Sequence, residues 1–148
     1  MSARNELLES VIHRWVEDPD SAVVYAEPVD GRWAVRMTQS VRDATTVWWT
    51  PDQRTVGLEA YLGPVPEHSA EALFRLLLVR NREAWRCHFA LDTEGGVVVR
   101  GRIANEAVSA EALDALLGEC YDLIERTFPP FVRLHRAARA DEGPGRTH

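Results

Sequence analysis

The chain has 148 residues, of which 45% are hydrophobic and 27% are charged, and its formal net charge is −6. This composition is typical of a globular domain, and the acidic balance disfavours a general binder of nucleic acid or anionic membranes. No apolar run approaches the roughly 20 residues that span a bilayer, and the first residues lack a secretory signal pattern. We therefore expect a cytoplasmic protein with a single domain over residues 1–140 and a disordered polar tail over residues 141–148.

The first predicted elements are a helix and a strand. An apolar stripe at helical spacing predicts a helix over residues 3–16, which ends at Asp18-Pro19-Asp20. Residues 31–38 alternate between apolar and polar side chains, as expected for a half-buried strand. Residues 22–26 are a weaker candidate for an extended segment because Pro28 follows. We therefore do not count them among the strands of the sheet.

A hairpin over residues 45–60 contains two adjacent tryptophans, Trp48 and Trp49. Neighbouring side chains of a strand point to opposite faces, so only one of the two rings can reach the core. A tight turn centred on Asp52-Gln53 pairs Trp49 with Val56 and places Trp48 across from Gly57. The hairpin therefore predicts that Trp49 is buried, and that Trp48 lies on the outside and covers the backbone of the glycine.

The second half of the chain predicts two helices around a second hairpin. A helix over residues 70–82, capped by Ser69, carries a wide apolar face and is expected to be more than half buried. The hairpin places Trp85 on the core face of its first strand and turns at residues 93–96. The last helix begins at Ser109. Pro129-Pro130 is expected to break or kink it, and residues 131–140 form a further helical piece.

These elements follow the order α-β-β-β-α-β-β-α. Such an order predicts an α+β fold with a five-stranded antiparallel sheet and helices packed on one face. No βαβ unit carries a glycine-rich phosphate loop, which argues against a doubly wound nucleotide-binding fold.

The sequence shows no arrangement of catalytic or metal-binding residues. Its five histidines have no metal-ligand spacing, and no serine lies in a G-x-S-x-G elbow. Cys87 and Cys120 lie in apolar settings, and Cys87 is expected to face the core beside Trp85 and Phe89, where a thiol is inert. We therefore predict no enzyme activity, no catalytic residue, no metal and no cofactor.

The sheet face without helices is the candidate site. Arginine and aromatic residues are enriched in binding hot spots, and both types collect on this projected face. Its residues are Arg32, Arg36, Trp48, Glu59, Tyr61, Arg86, His88, Val98, Arg100 and Arg102. Three interpretations remain open. The arginines are solvated, stack over the rings and pair with Glu59; or the face binds protein or a second copy; or it binds an anionic small ligand or nucleic acid.

Several motifs resemble the actinobacterial branch of the YbjN-like family. They are the hairpin sequences TTVWW and RTVGLEAYLGPVPE, Pro66-Glu67, Arg80-Asn81, Phe89-Ala90 with Asp92, the turn at Gly95, and Gly101-Arg102-Ile103. Together they cover roughly residues 33–134. The resemblance implies the fold of type III secretion chaperones, which are small acidic homodimers that bind partner polypeptides without catalysis. It also implies a role as a regulator in sensory transduction.

On this basis we expect a non-enzymatic protein-binding module, chaperone-like or regulatory. It would act through the exposed sheet face, through a homodimer, or through both, and the sequence does not identify its protein partner. The expected binding residues are Trp48, Tyr61, Arg36, Arg86, His88, Arg100, Arg102 and Glu59. The alternative is a sensor domain that binds an anionic small molecule on the same arginines.

Overall fold

The computed structural model describes the backbone of residues 2–141 and the side chains of residues 2–137. Its elements in chain order are α1 (Ala3–Glu17), β1 (Val23–Val29), β2 (Arg32–Thr38), β3 (Ala44–Pro51), β4 (Thr55–Pro64), α2 (Ala70–Glu83), β5 (Cys87–Leu91), β6 (Gly96–Ala104), a 3-10 turn (Asn105–Ala107) and α3 (Ala110–Asp141). The tail predicted for residues 141–148 lies outside the described residues apart from Asp141, which ends α3.

The strands form one antiparallel sheet in the order β1-β2-β3-β4-β6-β5. The α+β class is confirmed, but the prediction of five strands is wrong because β1 is a sixth. Pro28 belongs to β1, which is an edge strand with β2 as its one neighbour in the sheet. A proline is tolerated there because its missing N–H can face the open side of the strand. The pairing of β1 with β2 also shifts between Val23 and Tyr25, and this bulge obscures the alternation of the segment.

All three helices contribute to one hydrophobic core with the inward side chains of the strands. Trp49 is fully buried within it, and its ring centroid lies 5.6 Å from that of Trp15 in α1. Trp48 points to the opposite face of the sheet, so the predicted roles of the two tryptophans are confirmed. The indole Nε1 of Trp49 has no hydrogen-bond partner among the described residues, so this ring is held by packing alone.

The predicted pairing within the first hairpin is wrong by two residues. Trp49 pairs with Leu58, and Trp48 lies across from Glu59, diagonal to Gly57. The turn is closed by a hydrogen bond of 2.8 Å from the Asp52 N–H to the Thr55 carbonyl, which lets Pro51 stay in β3 at a position that needs no N–H toward β4. Because the shift is even, every side chain keeps the face that the alternation assigned to it.

The prediction that α2 is more than half buried is wrong. It buries only Leu73 and Leu77, and Leu78 is 68% exposed. Ser69 makes no side-chain capping bond. Trp85 was expected in the core, but β5 begins only at Cys87 and the Trp85 side chain is 81% exposed. The physical reason is placement: α2 lies along the edge strand β5, so part of its wide apolar face points outward.

Of the break or kink predicted at Pro129-Pro130, the break is wrong, since α3 continues through both prolines and includes the helical piece predicted for residues 131–140. Pro130 has no N–H to offer the carbonyl of Arg126 four residues earlier. That carbonyl instead accepts from Arg80 Nη2 of α2 at 3.5 Å, while Arg80 Nε donates to the hydroxyl of Thr127 at 3.3 Å. The start of α3 agrees with prediction, because the Ser109 hydroxyl accepts from the Ala112 N–H at 3.0 Å.

We predict that Trp49→Ala lowers the free energy of unfolding by about 3–5 kcal/mol, because it removes a large ring from a filled core. Trp85→Ala is the matched control and should change it by less than about 0.5 kcal/mol, because that ring lies in water. Urea unfolding followed by circular dichroism measures both. Equal losses in the two variants would contradict the described burial.

Candidate functional site

The candidate site is the outer face, defined as the side of the sheet that carries Arg32, Arg36, Trp48, Glu59, Tyr61, Arg86, His88, Val98, Arg100 and Arg102. One row of cross-strand partners runs from Trp48 through Glu59 and Arg100 to His88. In a neighbouring row Gly57 pairs with Arg102. The register therefore brings side chains from four strands onto one surface.

Two arginines of the outer face are already partnered. The guanidinium carbon of Arg32 lies 4.3 Å from the centroid of the Trp48 ring, a cation–π contact that leaves the indole half-buried. Arg100 Nε lies 3.1 Å from a carboxylate oxygen of Glu59, and both side chains are about half exposed. Exposed pairs of this kind contribute roughly 0–1 kcal/mol. Both contacts fit the interpretation in which solvated arginines stack on a ring and pair with Glu59.

Three cationic or titratable side chains of the face have no such partner. Within residues 2–137, the side chains of Arg36, Arg102 and His88 make no hydrogen bond or ion pair. A notch of about 140 Å³ lies over Gly57, and Arg102 shares its wall with the Arg32–Trp48 and Glu59–Arg100 pairs. A second hollow of about 330 Å³ lies beside it, next to His88 and Arg86. Asp52 and Glu59 also line the notch, so its wall carries both signs of charge.

Two predicted members lie away from this centre. The ring of Tyr61 is 51% exposed and leans over Gly96, where an added Cβ would meet it at 2.6 Å. Arg86 lies at the sheet edge, and its guanidinium is 3.7 Å from a carboxylate oxygen of Glu119 on α3. The centre of the outer face therefore consists of the Arg32–Trp48 stack, the Glu59–Arg100 pair and Arg102.

The sequence analysis missed a second surface, which we name the α2 strip: Phe74, Leu78 and Leu91, all exposed. The side-chain amide of Asn81 accepts from the Phe89 N–H at 2.7 Å and donates to its carbonyl at 3.1 Å. These bonds hold α2 along the edge of β5. The wide apolar face of α2 was the available signal, since a face too wide for one contact needs a further covering partner.

Trp85 stands next to this edge on a fixed stretch of backbone. One carboxylate oxygen of Glu119 accepts the N–H groups of Trp85 at 2.7 Å, Arg86 at 2.8 Å and Cys87 at 3.3 Å. Three donors on one charged acceptor hold the segment in place. The exposed indole is thus presented to solvent by an ordered loop, which lowers the entropic cost of contacting a partner.

Both cysteine thiols are buried in the folded protein. Burial raises the pKa of Cys87 to about 12, and burial also raises the pKa of Cys120, so both stay protonated at neutral pH. Across residues 2–141, no cluster of three or more histidine, cysteine or acidic side chains could hold a metal ion. Over the same residues, no helix is long and apolar enough to cross a membrane.

The fold is that of type III secretion chaperones. A chain of the HopA1–SchA chaperone–effector complex superposes with a TM-score of 0.60 at 13% identity, covering 87% of this chain and 98% of that one. A chain of the heterodimeric ExoU–SpcU complex from the type III secretion system of Pseudomonas aeruginosa gives a TM-score of 0.57 at 16% identity, covering 82% and 95%. YbjN from E. coli gives 0.57 at 14%, covering 82% and 89%. At these identities the likeness shows the fold alone.

Residues 10–133 match the model of the YbjN family, described as "Putative bacterial sensory transduction regulator", and the chain belongs to this family. Among curated proteins it is similar to Uncharacterized protein Rv0487 of Mycobacterium tuberculosis, with 29% identity over 82 residues. That match covers 55% of this chain and 45% of the relative. The chain thus matches less than half the length of this curated relative.

We predict that neither thiol of the folded protein reacts with Ellman's reagent near pH 8, because burial keeps both protonated and shielded. Both should react once guanidinium unfolds the chain. Absorbance of the released thionitrobenzoate measures the number of reactive thiols. Rapid reaction of one thiol in the folded state would contradict its burial and reopen the case for a nucleophile.

Proposed function

We propose that the protein is a non-enzymatic, cytoplasmic protein-binding module, chaperone-like or regulatory, that binds a partner polypeptide through the centre of the outer face. The observation that carries this proposal is the unpartnered Arg102 beside a notch walled by Trp48 and the Glu59–Arg100 pair. Arginine and tryptophan gain much when a partner desolvates them, and an ordered sheet holds them in place beforehand.

The comparisons support the class of activity. Two solved structures with this fold are chains of complexes with other proteins, one of them a chaperone–effector complex. The family's own description is that of a regulator. Both descriptions are compatible with a domain that works by contact with another polypeptide.

We further propose that the α2 strip mediates a homodimer. Leu78 is 68% exposed and Phe74 lies one turn before it, so an isolated chain would keep an apolar stripe in water. Two copies can cover the same stripe on each other through a two-fold axis, which is the commonest arrangement for homodimers. The outer face would stay open in such a dimer.

We predict that Trp48→Ala with Arg102→Ala weakens partner binding by roughly tenfold or more while leaving the fold intact, because both side chains lie at the surface of the proposed contact and neither belongs to the core. Tagged full-length chain is used for affinity capture from the native host, and captured proteins are quantified by mass spectrometry. If the double variant captured the same proteins in the same amounts as the wild-type chain, a binding role for the outer face would be contradicted. Tyr61→Ala is measured separately, since its ring lies away from the centre.

Phe74→Ala with Leu78→Ala is the matched variant on the other surface. It should shift the mass measured by light scattering from dimer to monomer, because it removes the apolar cover of the α2 strip. The outer-face variant should leave that mass unchanged. A wild-type chain that is monomeric at micromolar concentration, or a dimer that survives in the α2 variant, would rule out this mode of association.

The alternative function is a sensor domain for an anionic small molecule, favoured by the two unpartnered arginines, Arg36 and Arg102. A specific ligand raises the melting temperature because it binds the folded state alone. A panel of phosphorylated metabolites is therefore tested by thermal shift. A shift of several degrees that disappears in Arg102→Ala would favour the sensor over the protein-binding module.

A further inference from the structure

A groove of about 550 Å³ lies on the helix side of the sheet, away from the outer face. The end of α1, the loop before β1, Met37 of β2 and the N-terminal half of α3 enclose it, and we name it the α1–α3 groove. Its floor is made by apolar side chains of the core surface, including Trp15, Met37 and Leu117. An open groove with an apolar floor commonly binds an apolar group of a ligand.

The rim of the groove is acidic. Four aspartates line it, Asp18, Asp20, Asp114 and Asp122, against a single cation, Arg14. Arg14 Nη2 is 3.2 Å from Asp114 Oδ2. The other carboxylate oxygen, Asp114 Oδ1, accepts from the Trp15 indole N–H at 2.6 Å. The charge of Arg14 and the indole N–H of Trp15 are therefore both paired with the Asp114 carboxylate.

The remaining aspartates have no cationic partner. Asp18 accepts the backbone N–H of Asp20 at 2.9 Å, but within residues 2–137 no arginine or histidine pairs with Asp18, Asp20 or Asp122. The C-terminal end of α1 also lies here, and the exposed carbonyls of a helix end add negative potential. The rim is thus complementary to a positive charge that the described chain does not supply.

Gly118 of α3 lines the same groove, and nothing in the fold explains it. A Cβ at this position would meet no atom within 4 Å, and its φ is not among the positive values in the described chain. Glycine inside a helix is less favourable than alanine, because it loses more backbone freedom on folding. Its one structural effect is to keep the wall of the groove free of a side chain.

We propose that the α1–α3 groove binds a segment of a partner polypeptide in which a lysine or arginine lies next to an apolar side chain. The apolar side chain covers Trp15 and Leu117, and the cation reaches Asp18, Asp20 or Asp122. A metal ion does not fit, because across residues 2–141 no three ligating side chains cluster. The groove is separate from the outer face, so this proposal does not depend on the function assigned there.

The chain contains no lysine, since all 17 of its basic residues are arginine, and this allows a direct test. A carbodiimide joins carboxylates to primary amines, so a lysine in an added peptide can be coupled to the protein without lysine-derived cross-links within the protein. The probe is a short fluorescent peptide of alternating lysine and leucine, added to the full chain. Mass spectrometry should place the cross-links at Asp18, Asp20 or Asp122. Cross-links confined to other carboxylates would overturn the proposal.

Fluorescence anisotropy then measures the affinity of the same peptide for matched variants. Gly118→Leu should weaken binding at least tenfold because the new side chain fills the groove, whereas Gly118→Ala should keep binding and raise the melting temperature. Asp20→Asn with Asp122→Asn should weaken binding by about tenfold at low salt and less at high salt. The Asp-to-Asn pair preserves shape and tests charge alone.

Two control peptides separate the parts of the proposal. Replacing each lysine by glutamate should abolish binding through repulsion, and replacing each leucine by serine should reduce it through loss of the apolar contact. No binding of the lysine–leucine peptide to the wild-type chain, or equal binding to Gly118→Leu, would overturn the proposal. Melting curves of all variants confirm that each remains folded under the conditions of the assay.

Discussion

The burial of Trp49 against Trp15 is the contact from which the arrangement of both sheet faces follows. A fully buried indole in the middle of β3 can point only toward the helices, and the period of two then sends Trp48 to the other side. Because β4 is paired in register with β3, and β6 with β4, Glu59 and Arg100 must follow Trp48 outward. The outer face is thus a consequence of how the core is filled. Its residues cannot be moved inward without expelling the largest side chain of the core.

Arginine serves two different purposes in this chain. Arg42 is half-buried: it donates to the carbonyls of Tyr61 and Leu62 at 2.8 and 3.0 Å and stacks over Phe128, and burial lowers its pKa. Arg80 likewise joins α2 to the proline-containing part of α3. A guanidinium can satisfy several carbonyls at once, which makes it an effective connector. By contrast, Arg36 and Arg102 of the outer face join no elements of the fold within the described residues. They are therefore the arginines that point to a binding role.

The sequence allowed the faces of the strands to be predicted because alternation is a local property, and a register error of two residues leaves it intact. It did not allow the placement of α2 to be predicted. A wide apolar helix face looks the same whether the helix crosses a sheet or lies along its edge, and the bonds from Asn81 to Phe89 place α2 at the edge. The contacts of Arg86 and Tyr61 could not be predicted for a similar reason. Their orientation is set by Glu119 and by the space over Gly96, which are distant in sequence.

The two layers of the molecule differ in charge, with arginines on the outer face and unpaired aspartates around the α1–α3 groove. Opposite charges on opposite sides invite head-to-tail association, which produces open chains unless something prevents it. Shape provides that barrier. The groove requires a side chain that projects into it, whereas the arginines of the outer face lie along a sheet, and two of them are held by Trp48 and Glu59. The net charge of −6 adds mutual repulsion between copies. Shape and net charge therefore oppose head-to-tail stacking of copies through these two surfaces.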